Sequence, residues 1–195
     1  MTVFGALADG GDLEDDLLAH LEAWLPSYAA EIERQRGSKL PAIRSYRFVT
    51  DYERLSAQAL PTCIIETSGT GSDEPDRDGE GNYRATFEVA VTIALRAADG
   101  LVARRTAQRY GSAVQAALTQ HPKVSDKVTV FDLAGIDYTA EPQEKRWIAS
   151  CTSTFSVELR DFLNTDLGPS DPDLDPEDWA EVEEVTTEID KAPPS

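Results

Sequence analysis

The feature that most restricts how this 195-residue chain folds is residues 83–96, where apolar and polar side chains alternate. A period of two places successive side chains on opposite faces of a β-strand. The stretch therefore predicts a long strand with one strongly apolar face, which a second layer of structure has to cover. That face comprises Tyr83, Ala85, Phe87, Val89, Val91, Ile93 and Leu95.

Four further segments predict the rest of a sheet. The continuous apolar run in residues 60–66 is typical of a strand buried on both faces, with Pro61 at its entrance. Residues 46–49 favour a short strand, residues 128–138 an irregular strand and residues 147–159 a second long, alternating strand. Because long strands follow one another without an intervening helix, most of the pairing should be antiparallel.

The N-terminal part of the sequence has the periodicity of a helix. An acidic first turn precedes the apolar positions, Pro26 predicts a kink or a restart, and Gly37 predicts the end. The apolar positions, including aromatic ones assigned to the core, are Leu17, Leu18, Leu21, Trp24, Leu25, Tyr28 and Ile32.

A second helix follows the turn at Asp99 and Gly100 and ends before Pro122. Its predicted buried stripe is Val102, Thr106, Tyr110, Ala113, Val114, Ala117 and Leu118, while Arg104, Arg105, Arg109 and Gln115 point elsewhere. The order of elements predicts an α+β fold, in which a mixed, mainly antiparallel sheet carries helices on one face and an extended acidic C-terminal tail follows.

The charge divides the sequence at about Asn164. The formal net charge is −18, from 36 acidic and 18 basic residues. Eleven of the acidic residues and one basic residue, Lys191, lie in residues 164–195, so this tail carries −10 and residues 1–163 carry −8. We predict an α+β domain over residues 1–163 and an extended tail that is too polar to offset its ordering entropy.

The tail itself has more than one interpretation. Asp175 and Pro176 suit the start of a helix, whose apolar face would dock on a neighbouring subunit. The residues that would share this face are Trp179, Val182, Val185 and Ile189. The alternatives are a disordered, solubilising tail and a strand at the β-branched residues 185–187.

Composition disfavours several classes of protein. A net charge of −18 opposes general binding to nucleic acid backbones, whose phosphates attract Lys and Arg. Since no apolar run reaches roughly 18 residues and no basic segment precedes an apolar one at the N-terminus, we expect neither a membrane span nor export. Cys63 and Cys151 lie in strand-like segments, where thiols behave as small buried hydrophobes, which fits a reducing, cytoplasmic site of assembly.

Residues 67–82 predict a long exposed loop that is rich in Gly, Asp and Glu. Its central acidic residues are Asp73, Glu74, Asp76, Asp78 and Glu80. Asp76, Asp78, Glu80 and Gly81 are spaced like the start of a calcium loop, but Phe87 occupies the twelfth position from Asp76, where a bidentate Glu is required. We therefore predict no calcium site.

No pattern in the sequence indicates catalysis. His20 and His121 lack a second ligand at metal-site spacing, and no Gly-x-Ser-x-Gly elbow occurs. With 36 carboxylates in the chain, nominating two of them as an acid and base carries almost no information. We expect a protein that is not an enzyme and has no catalytic residues, metal or cofactor.

The order of elements resembles that of the tail-terminator (tail-completion) proteins of long-tailed bacteriophages over residues 13–163. The resemblance rests on the first helix, the buried strand at 60–65, the polar loop, the strand at 83–96, the helix around 109–114 and the closing strand at 146–160. Members of that family are α+β subunits that form a hexameric ring on the tail tube, stop its polymerisation and face the neck. The acidic tail departs from this pattern.

This resemblance implies a structural virion protein at the head-tail junction, assembled in the host cytoplasm. The implied partners are further copies of the chain, the major tail tube protein, head-tail connector (neck) proteins, and double-stranded DNA that crosses the lumen without specific binding. Since such a lumen should not hold phosphates, we predict that the acidic residues 73–82 face the channel. Arg104, Arg105 and Arg109 are expected to meet acidic residues of an adjacent subunit.

Two other classes stay open at this point. Another neck subunit would share the ring and the acidity. A soluble binding module or an enzyme would instead show a deep pocket with converging polar groups.

Overall fold

The computed structural model describes residues 10–48, 56, 58–70, 76–77, 82–143 and 146–164. Along these residues the elements are α1 (Gly10–Arg36), β1 (Ser45–Phe48), β2 (Thr62–Thr70), β3 (Asp76–Arg77), β4 (Asn82–Ala97), α2 (Gly100–Gln120), β5 (Val128–Gln143) and β6 (Arg146–Asn164). The predicted acidic tail beyond Asn164 lies outside the described residues.

The strands form one sheet in the order β1-β2-β4-β6-β5, and β3 pairs with the start of β4. The pairs β2-β4, β4-β6 and β5-β6 are antiparallel, whereas β1 pairs with β2 in parallel. The mixed, mainly antiparallel sheet predicted from the sequence is confirmed. Two shifts of register along β5 confirm that this strand is irregular.

Both helices pack on the same face of the sheet. On this face Val89 lies opposite Phe155 and Ile93 lies opposite Cys151, and each of these residues is at most 1% exposed. The helices cover them with Leu13, Leu17, Leu21 and Leu25 from α1 and with Tyr110, Val114 and Leu118 from α2. The predicted α+β architecture, with helices on one face, is therefore confirmed.

Helix α1 runs without a restart through Pro26 and ends where the sequence predicts. Gly37 has a φ of 63° and donates its N–H to the carbonyl of Glu33 at 2.9 Å. The assignment of Trp24 to the core is wrong, because its side chain is 40% exposed. The leucines at every fourth position fill the interface, and Trp24 lies on its flank, stacked on His121 at 3.9 Å between ring centroids.

Helix α2 begins after Asp99, whose carboxylate accepts the N–H of Val102 at 2.9 Å. The predicted stripe is correct from Tyr110 onward, but it is wrong by one residue in the first turns. There Ala103 and Ala107 are buried, while Val102 is 56% exposed. The small alanines allow the helix to lie close to the sheet, so size rather than hydropathy selects the buried positions.

The contact between α2 and β6 is especially close at Gly111. A Cβ atom at this glycine would lie 2.2 Å from the Sγ of Cys151. Gln115, one turn further on, was expected to point elsewhere but donates from Nε2 to Ser153 Oγ at 3.2 Å. This position therefore faces the sheet, which corrects the prediction.

The predicted loop over residues 67–82 is wrong where the backbone pairs with β4. Strand β2 continues to Thr70, which lies opposite Phe87, and Asp76–Arg77 form the short strand β3. Ladder hydrogen bonds join main-chain groups, so they extend strands into polar sequence that has no apolar alternation. Residues 71–75 and 78–81 lie outside the described residues.

Candidate interaction surfaces

A groove of about 620 Å³ lies between the two helices and is hereafter called the helix groove. Its α1 wall consists of Tyr28, Glu31, Ile32, Gln35 and Arg36, and its α2 wall of Arg105, Gln108, Arg109, Ser112, Ala116 and Gln120. Two polar contacts join its walls at opposite ends. Tyr28 Oη donates to Gln120 Oε1 at 2.8 Å, and Arg109 Nη1 donates to Ser38 Oγ beyond the end of α1.

The helix groove is basic although the protein is strongly acidic. Its lining includes three arginines and one carboxylate, that of Glu31. Hydrogen bonds from Arg34, at 2.6 and 2.8 Å, and then from Gln35 lower the pKa of Glu31 to about 2. This carboxylate is therefore engaged within α1. Neither Arg36 nor Arg105 has an ion-pair partner among the described residues.

The structure separates the three arginines that the sequence groups together. Arg105 and Arg109 lie one turn apart and both line the helix groove, whereas Arg104 is exposed and does not line it. Sequence reasoning missed Arg36 and Tyr28, which reach the same groove from α1. Contact with an adjacent subunit stays a prediction.

The other predicted site residues are only partly described. Asp76 lies in β3, opposite Arg84 of β4 in the register of the sheet, rather than in a loop. The other acidic residues predicted to face a channel, Asp73, Glu74, Asp78 and Glu80, lie outside the described residues. The same holds for the predicted docking face of Trp179, Val182, Val185 and Ile189.

The two edges of the sheet form a second candidate surface, hereafter called the sheet edges. The edge strand β5 has 16 residues, whereas strands usually have about five or six. Leu133 and Ile136 on β5 are 40% and 45% exposed, although their cross-strand partners Phe155 and Ser153 are fully buried. At the opposite edge, Phe48 of β1 is 39% exposed. Edge strands also present unpaired main-chain groups, so apolar edges favour association.

The two histidines lie together at the end of α2, with 6.3 Å between ring centroids. Burial, followed by the neighbouring His121, lowers the pKa of His20, while a hydrogen bond with the Ala117 backbone opposes this shift. The backbone N–H of His121 also donates to the Ala117 carbonyl. Within the described residues no group of three or more metal-ligating side chains occurs. His20 of α1 and His121 at the end of α2 lie where the two helices pack together.

Both cysteines lie in the core. Both are free and buried, as predicted. Burial raises the pKa of the Cys63 thiol to about 12 and that of Cys151 to about 11, so both are protonated at neutral pH. In the part of the chain that the structure describes, no helix has the length and hydropathy to cross a membrane.

Comparison with known proteins gives a distant structural likeness. No protein-family model matches the chain, and no curated protein sequence matches it. The chain is similar to a chain from the virion of a native gene transfer agent particle, with a TM-score of 0.42 and 12% sequence identity. The match covers 80% of this chain and 99% of that chain. A likeness this distant assigns neither a family nor a function.

Proposed function

We propose that this protein is a structural virion subunit that forms a ring at the head-proximal end of a bacteriophage tail, ends polymerisation of the tail tube and joins tail to head. The observation that carries the proposal is the pair of apolar sheet edges. β1 and β5 lie at opposite ends of the strand order, and both expose large apolar side chains. When two different surfaces of identical subunits bind each other, the contact repeats head to tail and closes into a ring if the rotation permits.

The order of helices and strands supports the same proposal, since it resembles that of tail-terminator proteins. In this role the two ends of the ring contact the major tail tube protein and the neck proteins, and DNA crosses the lumen without specific binding. The acidic residues Asp73, Glu74, Asp76, Asp78 and Glu80 face that channel, where they repel phosphates. The function resides in surfaces and needs no catalytic group or cofactor.

The oligomeric state provides the first test. Light scattering after size-exclusion chromatography should give about six times the 21.3 kDa subunit mass, the stoichiometry that the resemblance implies. The double variant Leu133→Lys/Ile136→Lys places charges on the β5 edge and should give monomers. Thr119→Lys adds one lysine at an exposed position of α2, outside the helix groove and the sheet edges, and should leave the ring intact.

A second test addresses tail termination. The protein is added to the cognate tail tube protein during its polymerisation, and tube lengths are measured by electron microscopy. Shorter tubes, each with a ring at one end, are expected. Rings that bind neck proteins but leave tube length unchanged would identify another neck subunit instead. A chain that stays monomeric both alone and with the tube protein would refute the proposal.

A further inference from the structure

We propose that the helix groove binds the acidic C-terminal segment, residues 175–190, of a neighbouring copy of this chain. The inference rests on the proposed function, because a ring is what supplies each groove with a neighbour. The inference goes beyond the proposed function because it identifies what binds in the helix groove. The apolar sheet edges, on which the proposed function rests, do not determine this.

The arginines of the helix groove are placed to bind an anionic segment from both sides. Arg105 and Arg109 project from α2, while Arg36 lies on the α1 wall. Arg109 is held by its hydrogen bond to Ser38, whereas Arg36 and Arg105 lack ion-pair partners among the described residues. The single acidic group of the lining, Glu31, is already bound by Arg34. The groove therefore offers a net positive charge.

The lining also offers apolar contact between these charges. Ile32 lies on one wall and Ala116 on the other, and the ring of Tyr28 closes one end. A groove between two helices that combines apolar and basic side chains suits an amphipathic segment of opposite charge.

Residues 175–190 have the matching composition. They contain eight acidic residues and no basic residue. Trp179, Val182, Val185 and Ile189 are spaced three or four apart, which is the spacing of one face of a helix. The apolar side chains can contact Ile32 and Ala116 while the carboxylates meet the arginines of the lining.

Electrostatics favours a neighbouring copy as the source of the segment. Identical chains with a net charge of −18 repel each other, so their association needs a local attraction. The helix groove and the acidic segment provide one between subunits. Residues 165–174 link β6 to the segment and span at most about 35 Å, compared with a radius of gyration of about 15 Å for a domain of this size. The linker is thus long enough to reach an adjacent subunit.

Disulfide trapping in the full-length chain tests this contact. Ser112→Cys places a thiol in the helix groove, and Ala180→Cys places one beside Trp179 in the segment. The two single variants, carrying different affinity tags, are co-expressed, purified together and oxidised. Cys63 and Cys151 are buried, so they should not compete. A disulfide between the two differently tagged chains is expected, because this product can form only between copies.

A matched pair of charge variants identifies the groove as the binding site. Arg105→Glu in the Ser112→Cys chain should slow formation of the mixed disulfide about tenfold, since it replaces an attraction by a repulsion within the site. Arg104→Glu makes the same charge change at the adjacent residue, which does not line the groove, and should change the rate by less than about twofold. Equal effects of the two variants would overturn the inference.

Two further outcomes would also overturn it. In the double variant Ser112→Cys/Ala180→Cys, a disulfide confined to single chains would show that the segment binds its own subunit. Absence of the mixed disulfide from intact rings would show that another partner or none occupies the groove, while leaving the proposed function in place. Failure of the ring itself is measured separately, by the mass of the unmodified protein and by tube length.

Discussion

The contact between α2 and β6 gives a quantitative test of the fold, because it leaves no space for a methyl group at Gly111. A Cβ atom there would lie 2.2 Å from Cys151 Sγ and 3.4 Å from Tyr138, whereas ordinary contacts lie at 3.4–4 Å. The substitution Gly111→Ala therefore forces α2 and β6 apart by roughly the difference between 2.2 and 3.4 Å. Cys151 is 1% exposed, so its side chain has no solvent to move into.

Two opposing effects set the magnitude of this change. Alanine in place of glycine stabilises a helix interior by about 0.8–1 kcal/mol. Overpacking a core costs about 1–3 kcal/mol, and the short distance to a buried sulfur on a central strand favours the upper half of that range. We expect Gly111→Ala to lower the free energy of unfolding by about 1–2 kcal/mol, and to lower Tm by about 2–4 °C for each kcal/mol.

The assay is urea and thermal unfolding, followed by circular dichroism at one protein concentration. Ser112→Ala, at the adjacent exposed position, is the control and should change the free energy of unfolding by less than about 0.5 kcal/mol. Cys151→Ala removes the obstructing sulfur, so the double variant Gly111→Ala/Cys151→Ala should lose at least about 1 kcal/mol less than the sum of the single losses. Additive losses, or a Gly111→Ala variant as stable as the original, would refute the close helix–strand contact.

Two other predictions concern the ends of α2. Burial lowers the pKa of His20 below its ordinary value of 6.5. The stability that the neutral His20 side chain contributes is therefore complete above about pH 6.5. It is lost as the pH falls through 6.5 toward the pKa of the folded state. Urea unfolding between about pH 5 and 8 should therefore show stability rising with pH, with a smaller slope in His20→Gln; an unchanged slope would contradict the assignment. Asp99→Ala should lower the free energy of unfolding by about 0.5–2 kcal/mol, because the first turn of α2 loses its cap. Asp99→Asn keeps an acceptor and should lose less, and equal losses in the same assay would exclude a capping role.

The parts of the fold that the sequence predicts are those where a side-chain period determines the structure. Strand β4 alternates from Ala85 to Ile93 because the face that includes Val89 and Ile93 meets the helices. The extension of β2 to Thr70 and the strand β3 have no such signal, since main-chain pairing alone defines them. Hydropathy also misplaces Val102, because close approach to the sheet selects the smaller Ala103.

The sequence predicts only some of the residues that line the helix groove. Arg105 and Arg109 are four residues apart, so a helix places them on neighbouring turns whatever the rest of the chain does. Arg36 joins them only because α1 and α2 pack side by side in that region, which no local pattern records. The same holds for His20 and His121, whose proximity depends on the crossing of the two helices.

The acidity of the chain is compatible with the proposed assembly because the charges are unevenly distributed. Repulsion between the bodies of two subunits acts over long distances, and salt at about 0.1 M screens charges that lie more than about 10 Å apart. A carboxylate that enters the helix groove lies within a few ångströms of Arg105 or Arg109, where screening is much weaker. Moderate salt therefore removes more of the repulsion than of the proposed attraction. In a chain with evenly spread carboxylates and no basic groove, no short-range attraction would remain when salt screens the long-range repulsion.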